Sequence, residues 1–261
     1  MKKTLFIPLF LILLFFSITI KSQSKYTPFP TAPDTYKVTS TVNLEYKYVA
    51  SINDLISNET FIPSDPDLYK NKRSDKKMRG NKVVPGKGLP KGPDPLVNLD
   101  SKNNKKQNRT PILDFLTTSN TATPGDPTGE VGRDYYITAW NSSFRIYNLD
   151  GTPAIPAASL GNFFTQDAGD PIALYDSEAD RYIISSMGSS AVNFAVSVSN
   201  DPVNGGWHVY NASSNNFPTG GFPDYPKYSI WSDAYYLTIN PANLFALERD
   251  KILIGDTSAS M

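Results

Sequence analysis

The chain has 261 residues, no cysteine, a single histidine and 25 basic against 25 acidic residues. Without cysteine it is neither a disulfide scaffold nor a thioether-anchored lipoprotein, and with only His208 it holds no HExxH zinc centre or histidine cluster. The balanced charge hides an asymmetry: residues 70–109 carry 13 Lys or Arg against 3 acids and residues 110–261 carry 6 against 16, about +10 and −10. Such a split separates a solvated linker from a folded domain.

The N-terminus reads MKKTLFIPLFLILLFFSITIKSQ, with Lys2 and Lys3, an apolar run from Leu5 to Ile20, and small or polar residues after it. This is the order of a secretory signal peptide, expected over 1–22 with a mature chain from Gln23. An uncleaved anchor stays open as an alternative, because Lys21 is a poor match to a small-residue cleavage site. No second apolar run of spanning length follows, so the mature chain is expected to lack a membrane span and to be secreted or held at the cell surface. Its stability must then come from a packed core.

Residues 23–69 form a strand-bearing segment. TYKVTSTVNLEYKYVA (35–50) places Tyr36, Val38, Val42, Leu44, Tyr46 and Tyr48 on one face and polar residues on the other, the period of a half-buried strand. The following SINDLISNETFIPSD fits one helical turn closed by Pro63 and Pro66. Residues 70–109 are rich in basic residues, Gly, Pro and Asn, and bury too little apolar area to offset chain entropy, so they read as a linker. Within them GNKVVPGKG is no phosphate loop: five residues separate Gly80 from Gly86, and Gly88 stands where a Ser or Thr would hold magnesium. Their lack of aromatic side chains also argues against nucleic-acid recognition by stacking.

From 110 to 261 the pattern becomes short apolar strands between Gly, Pro, Asn and Asp turns. Strands are predicted for DYYITAW, SFRIYNL, PIALY, RYIISSM, NFAVSVS, GWHVYN, KYSIW, AYYLTIN, LFALER and KILIG, an all-β region. Tyr136, Tyr182 and Tyr236 recur at spacings of 46 and 54 residues, each in a strand led in by a polar turn and followed by another strand. About four strands per 40–50 residues is the period of β-propeller blades.

The runs GDPTGEVGRDYYITAWNSSFRIYNLDG, GDPIALYDSEADRYIISSM, AVSVSNDPVNGGWHVY and FPDYPKYSIWSDAYYLTIN resemble the repeats of secreted bacterial β-propeller proteins, over about residues 85–255. Such proteins are often large substrates of type IX secretion, so the resemblance implies export and architecture more than activity. SNDPVNGGW is similar to the Ser-x-Asp…Gly-x-Trp hairpin turn of sialidase-like propellers. About three blades are expected here, an incomplete ring, since closure takes typically 4 to 8. A fragment of a longer protein is therefore expected.

The acidic stretch YDSEADR (175–181) has carboxylates at Asp176, Glu178 and Asp180, but Arg181 and Met187 occupy the calcium-loop positions that require Gly and Glu. It is read as a hairpin loop in which Arg181 offsets carboxylate repulsion, and no metal site is expected. His208 is expected on a strand surface, opposite Trp207 and Val209. GDTSAS contains one Asp-Thr without the partner lobe of an aspartic protease.

The ligand-binding candidates are Asp126, Asp170 and Asp224, expected at blade ends, with Tyr225 as an aromatic surface between Pro223 and Pro226. FPDYPK also reads as a rigid connection packing Phe222 and Tyr225 into the core. The leading expectation is a non-enzymatic binding scaffold for carbohydrate or a surface protein, with no cofactor and no assigned oligomeric state. The alternative is a propeller hydrolase of glycans using paired carboxylates, for which the sequence names no catalytic residue.

Overall fold

Among the described residues twelve short strands, most of them alternating in apolar character, pair with antiparallel neighbours. The computed structural model describes residues 38–65, 112–117, 125–165, 169–188, 191–213, 223–240 and 243–261, and the expected signal peptide and basic linker lie outside them. Among the described residues no helix is long and apolar enough to cross a membrane.

The strands form three sheets. The first joins β2 (Thr128–Val131), β3 (Tyr135–Trp140), β4 (Ser143–Asn148) and β5 (Ala158–Ser159) as a meander. The second joins β6 (Gly169–Asp176), β7 (Arg181–Gly188), β8 (Ala191–Ser197) and β9 (Trp207–Ser213), with β1 (Glu45–Val49) added outside β9 in the order β1-β9-β8-β7-β6. The third joins β10 (Lys227–Ile230), β11 (Ala234–Ile239) and β12 (Asn243–Glu248). The all-β expectation holds; the described residues add two short α-helices, α1 (Ile52–Ser57) and α2 (Arg249–Leu253).

Side-chain alternation decides how the sheets stack. Ile137, Ala139, Phe144 and Ile146 of the first sheet share one core with Tyr182, Ile184, Ala195, Trp207 and Val209 of the second. The opposite face of the second sheet, with Ile183, Val192, Phe194, Val196 and Tyr210, shares another core with Tyr235, Leu237, Ile239, Phe245 and Leu247 of the third. The middle sheet is thus covered on both faces, which is why RYIISSM and AVNFAVS carry almost no charge. Phe163 lies 4.8 Å from Trp207 and 5.0 Å from Phe144 in the first core. Truncating a side chain such as Trp207, which is fully buried, costs about 3–5 kcal/mol.

β1 finds its partner in β9, in the register Glu45↔Asn211 to Val49↔Trp207. It is shorter than the 35–50 pattern suggests: Val42 and Leu44 are buried, Asn43 bridges Ser260, and Val38 and Tyr48 are exposed. Val42 exchanges backbone hydrogen bonds of 2.9 Å in both directions with Met261. Helix α1 starts at Ser51, whose hydroxyl accepts from the Asp54 N–H at 3.0 Å. It ends at Ser57, well ahead of Pro63, as Glu59 turns left-handed at φ 57°.

KILIG is not a strand. Residues 249–253 are helical, Ile252 is fully buried, and Gly255 at φ 72° ends the turn. Apolar alternation over five residues does not separate a buried helical turn from a strand. The SNDPVNGGW turn closes the β8–β9 hairpin: Asp201 Oδ1 accepts the N–H groups of Val203 and Asn204, both at 2.9 Å, and the Trp207 indole donates to the Pro202 carbonyl at 3.0 Å.

Candidate functional site

The first strands of the three sheets, β2, β6 and β10, begin at one place. Each is led in by a residue with positive φ followed by proline: Asp126 (41°) before Pro127, Asp170 (45°) before Pro171, and Tyr225 (57°) before Pro226. Left-handed backbone is uncommon outside glycine, and a residue before proline prefers the extended region. Such positions cost of order 1–3 kcal/mol each and cluster where structure serves a ligand.

These three lead-ins line an open cleft of about 460 Å³, together with Thr128, Ile172, Lys227 and Tyr228. Asn141, from the tight β3–β4 turn, ties two of them: its Nδ2 donates to Asp126 Oδ2 at 2.6 Å and its Oδ1 accepts from the Asp170 N–H at 2.8 Å. Gly169, at φ 117°, leaves room for that amide, since a Cβ there would stand 2.7 Å from Asn141 Oδ1. Tyr225 is 61% exposed, with the Lys227 ammonium 4.2 Å from its ring centre. The alternative reading of Tyr225 as a core residue is therefore corrected: Pro223 and Pro226 are buried and the ring faces out, while Phe222 lies outside the described residues.

Asp126 and Asp170 are neighbours, because the Asn141 amide bonds the carboxylate of one and the backbone N–H of the other. Burial raises the Asp170 pKa, the nearby Asp126 and the charge of Asp224 add to it, and Lys227 opposes. Asp224 is exposed, its carbonyl accepting from the Asn240 N–H at 2.9 Å. Of the four sequence-named residues, Asp126, Asp170 and Tyr225 line one cleft, whereas Asp224 does not line it and acts on Asp170 only through its charge. Asn141 and Lys227 were not singled out in the sequence, although the shared Pro after Asp126, Asp170 and Tyr225 marks equivalent positions.

The other sequence candidates are structural. Asp176 is fully buried and accepts from Arg249 (Nε 2.7 Å, Nη2 3.1 Å), the Tyr235 hydroxyl (2.8 Å) and the N–H groups of Glu178 and Ala179 (3.2 and 3.0 Å). Asp180 accepts from Tyr175 at 2.6 Å and Arg133 at 3.0 Å. The β6–β7 turn is a hairpin loop as read, but Arg181 does not offset its carboxylates. That side chain donates to the carbonyls of Ala179 and Asp180, both at 2.9 Å, while Arg249 and Arg133 come from elements outside the loop. No group of three or more metal-ligating side chains occurs among the described residues.

His208 is buried rather than on a strand surface. β1 pairs over it, its Nδ1 lies 3.1 Å from the Tyr46 hydroxyl, and the ring contacts Tyr48. Burial, then the charge of Arg181, lowers its pKa. Asp256 of GDTSAS accepts the Ser258 N–H at 2.7 Å in the turn after α2. Comparison of the chain with protein-family models, curated proteins and solved structures finds no match.

Proposed function

We propose that this is an exported, secreted or cell-surface scaffold of propeller-like architecture that binds carbohydrate or a surface protein through the cleft at the starts of β2, β6 and β10. The observation that carries this reading is the convergence of Asp126, Asp170 and Tyr225, one from each sheet, on a single open cleft. The stacking of three meanders face to face supports the blade-like reading, and the N-terminal Lys-Lys-apolar pattern supports export.

Carboxylates, an ammonium and an exposed tyrosine together suit recognition of a hydroxyl-rich ligand, with the ring offering apolar surface and the charged groups fixing orientation. The hydrolase alternative asks for two carboxyl groups about 5–9.5 Å apart with a sugar between them. The test is titration of the mature chain with a panel of soluble oligosaccharides and with candidate surface proteins, beside Asp126→Ala and Tyr225→Ala. Saturable binding lost in both variants supports the cleft. Binding untouched by either removes it, and turnover of a glycan replaces this reading with the hydrolase.

A further inference from the structure

A second recess lies at the opposite ends of β6 and β10. Asp176, Ser177 and Glu178 of the β6–β7 turn and Ile230, Trp231 and Ser232 of the β10–β11 turn line a crevice of about 260 Å³. Trp231 is 68% exposed, whereas Trp140 and Trp207 are buried. Among the described residues the Trp231 side chain has no hydrogen-bond or ring partner, so its large apolar face is presented to whatever enters the crevice.

The walls are held in place from below. Arg249 binds Asp176, donates to the Ser232 carbonyl at 3.3 Å, and approaches the Glu178 carboxylate at 3.5 Å, joining both turns through one guanidinium. Trp231 is tied by its backbone N–H to the Ala234 carbonyl at 3.1 Å. With both turns held in this way, the Trp231 side chain is the part of the wall left to order on binding. Its volume is below the roughly 300–1,000 Å³ of sites for drug-sized ligands, which suits one or two rings rather than a buried chain.

We propose that this crevice is a carbohydrate subsite for a neutral pyranose, stacked on the Trp231 indole and held by hydroxyl contacts to Glu178, Ser177 and Ser232. The carboxylates of Glu178 and Asp250, 68% and 90% exposed, disfavour anionic sugars. Arg249 offsets part of the Glu178 charge, leaving oxygen lone pairs to accept from sugar hydroxyls. The assignment does not depend on the cleft at the opposite strand ends being a ligand site.

Trp231 is the only exposed tryptophan, so its emission reports on this crevice directly. The full mature chain is titrated with cellohexaose, chitohexaose and laminarihexaose while tryptophan fluorescence is followed. The expected result is a saturable blue shift or quench with at least one neutral hexasaccharide, absent in Trp231→Ala and weakened about tenfold in Glu178→Ala. Unfolding midpoints of all variants near that of the parent keep a folding defect from imitating lost binding. No saturable change with any of the three sugars overturns the proposal. So does a response to a polylysine peptide in their place, which would make the crevice a site for a basic protein partner.

Discussion

Asp176 and Arg249, 73 residues apart in sequence, form a two-point ion pair in a space closed to solvent, joining the β6–β7 turn to the last helix. Burial alone would raise the Asp176 pKa; Arg249, the Ala179 N–H and the Tyr235 hydroxyl outweigh it, and the net shift is downward. Arg249→Met leaves that carboxylate buried and uncompensated and is expected to cost about 3–5 kcal/mol in urea unfolding at pH 7. The parent keeps the pair's contribution above the unfolded carboxylate value of about 4 and loses it as pH falls through the lowered folded value. In the variant burial prevails, so its carboxyl destabilises the fold at neutral pH. A variant with the parent's urea midpoint at pH 7 sinks the argument.

Tyr182 carries a comparable contact between the first two sheets. Its hydroxyl accepts from the backbone N–H groups of Asp134 and Tyr135 at 3.2 and 2.9 Å. Tyr182→Phe is expected to destabilise by about 1–3 kcal/mol, because it strands donors in a partly buried site. Hydrogen exchange at the Tyr135 amide should accelerate beyond what the global loss explains. Equal acceleration across all slowly exchanging amides would contradict a local role.

His208, as the sole histidine, gives a clean titration. Its folded pKa lies below the ordinary value of about 6.5, through burial first and then the Arg181 charge. The neutral ring's contribution is present above the unfolded value and is lost as pH falls toward the folded one. His208→Gln should flatten the stability profile below about pH 6.5, and the ring proton resonances of the parent should titrate below 6.5. A midpoint at or above 6.5 would show the ring to be solvated.

Asp170 has the opposite sign. Its pKa is raised by burial, then by Asp126 and Asp224, so ionising it at neutral pH costs folding free energy. Asp170→Asn should raise the urea midpoint at pH 7, the gain vanishing below about pH 4, where the parent carboxyl is protonated in both states. Asn tolerates the left-handed backbone required at φ 45°. A loss of stability at pH 7 would mean the carboxylate makes a favourable contact instead.

The strands were legible wherever one side of the chain was buried and the other was not, as in DYYITAW and AYYLTIN, because the period of two records that asymmetry. β2 was not: TGEV carries one apolar residue, and it forms through pairing with β3 rather than through its own pattern. The cleft was half legible. Asp126 and Asp170 were expected at blade ends, yet the Asn141 amide that joins them comes from a turn with no distinguishing composition. Arg249 could not be matched to Asp176, since long-range partners leave no periodic trace in one sequence. The Arg181 beside that carboxylate was the nearer but wrong choice.

The pairing of β1 with β9, and of Val42 with Met261, also sets an order of events in folding. The β9 edge of the middle sheet is sealed only when β9 meets β1 across the long stretch of chain between them, so local pairing alone cannot complete it. Contacts spanning such separations make folding slow relative to locally paired chains. Until they form, β9 offers an open strand to any neighbouring chain, and its pairing with β1 is the step that withdraws it.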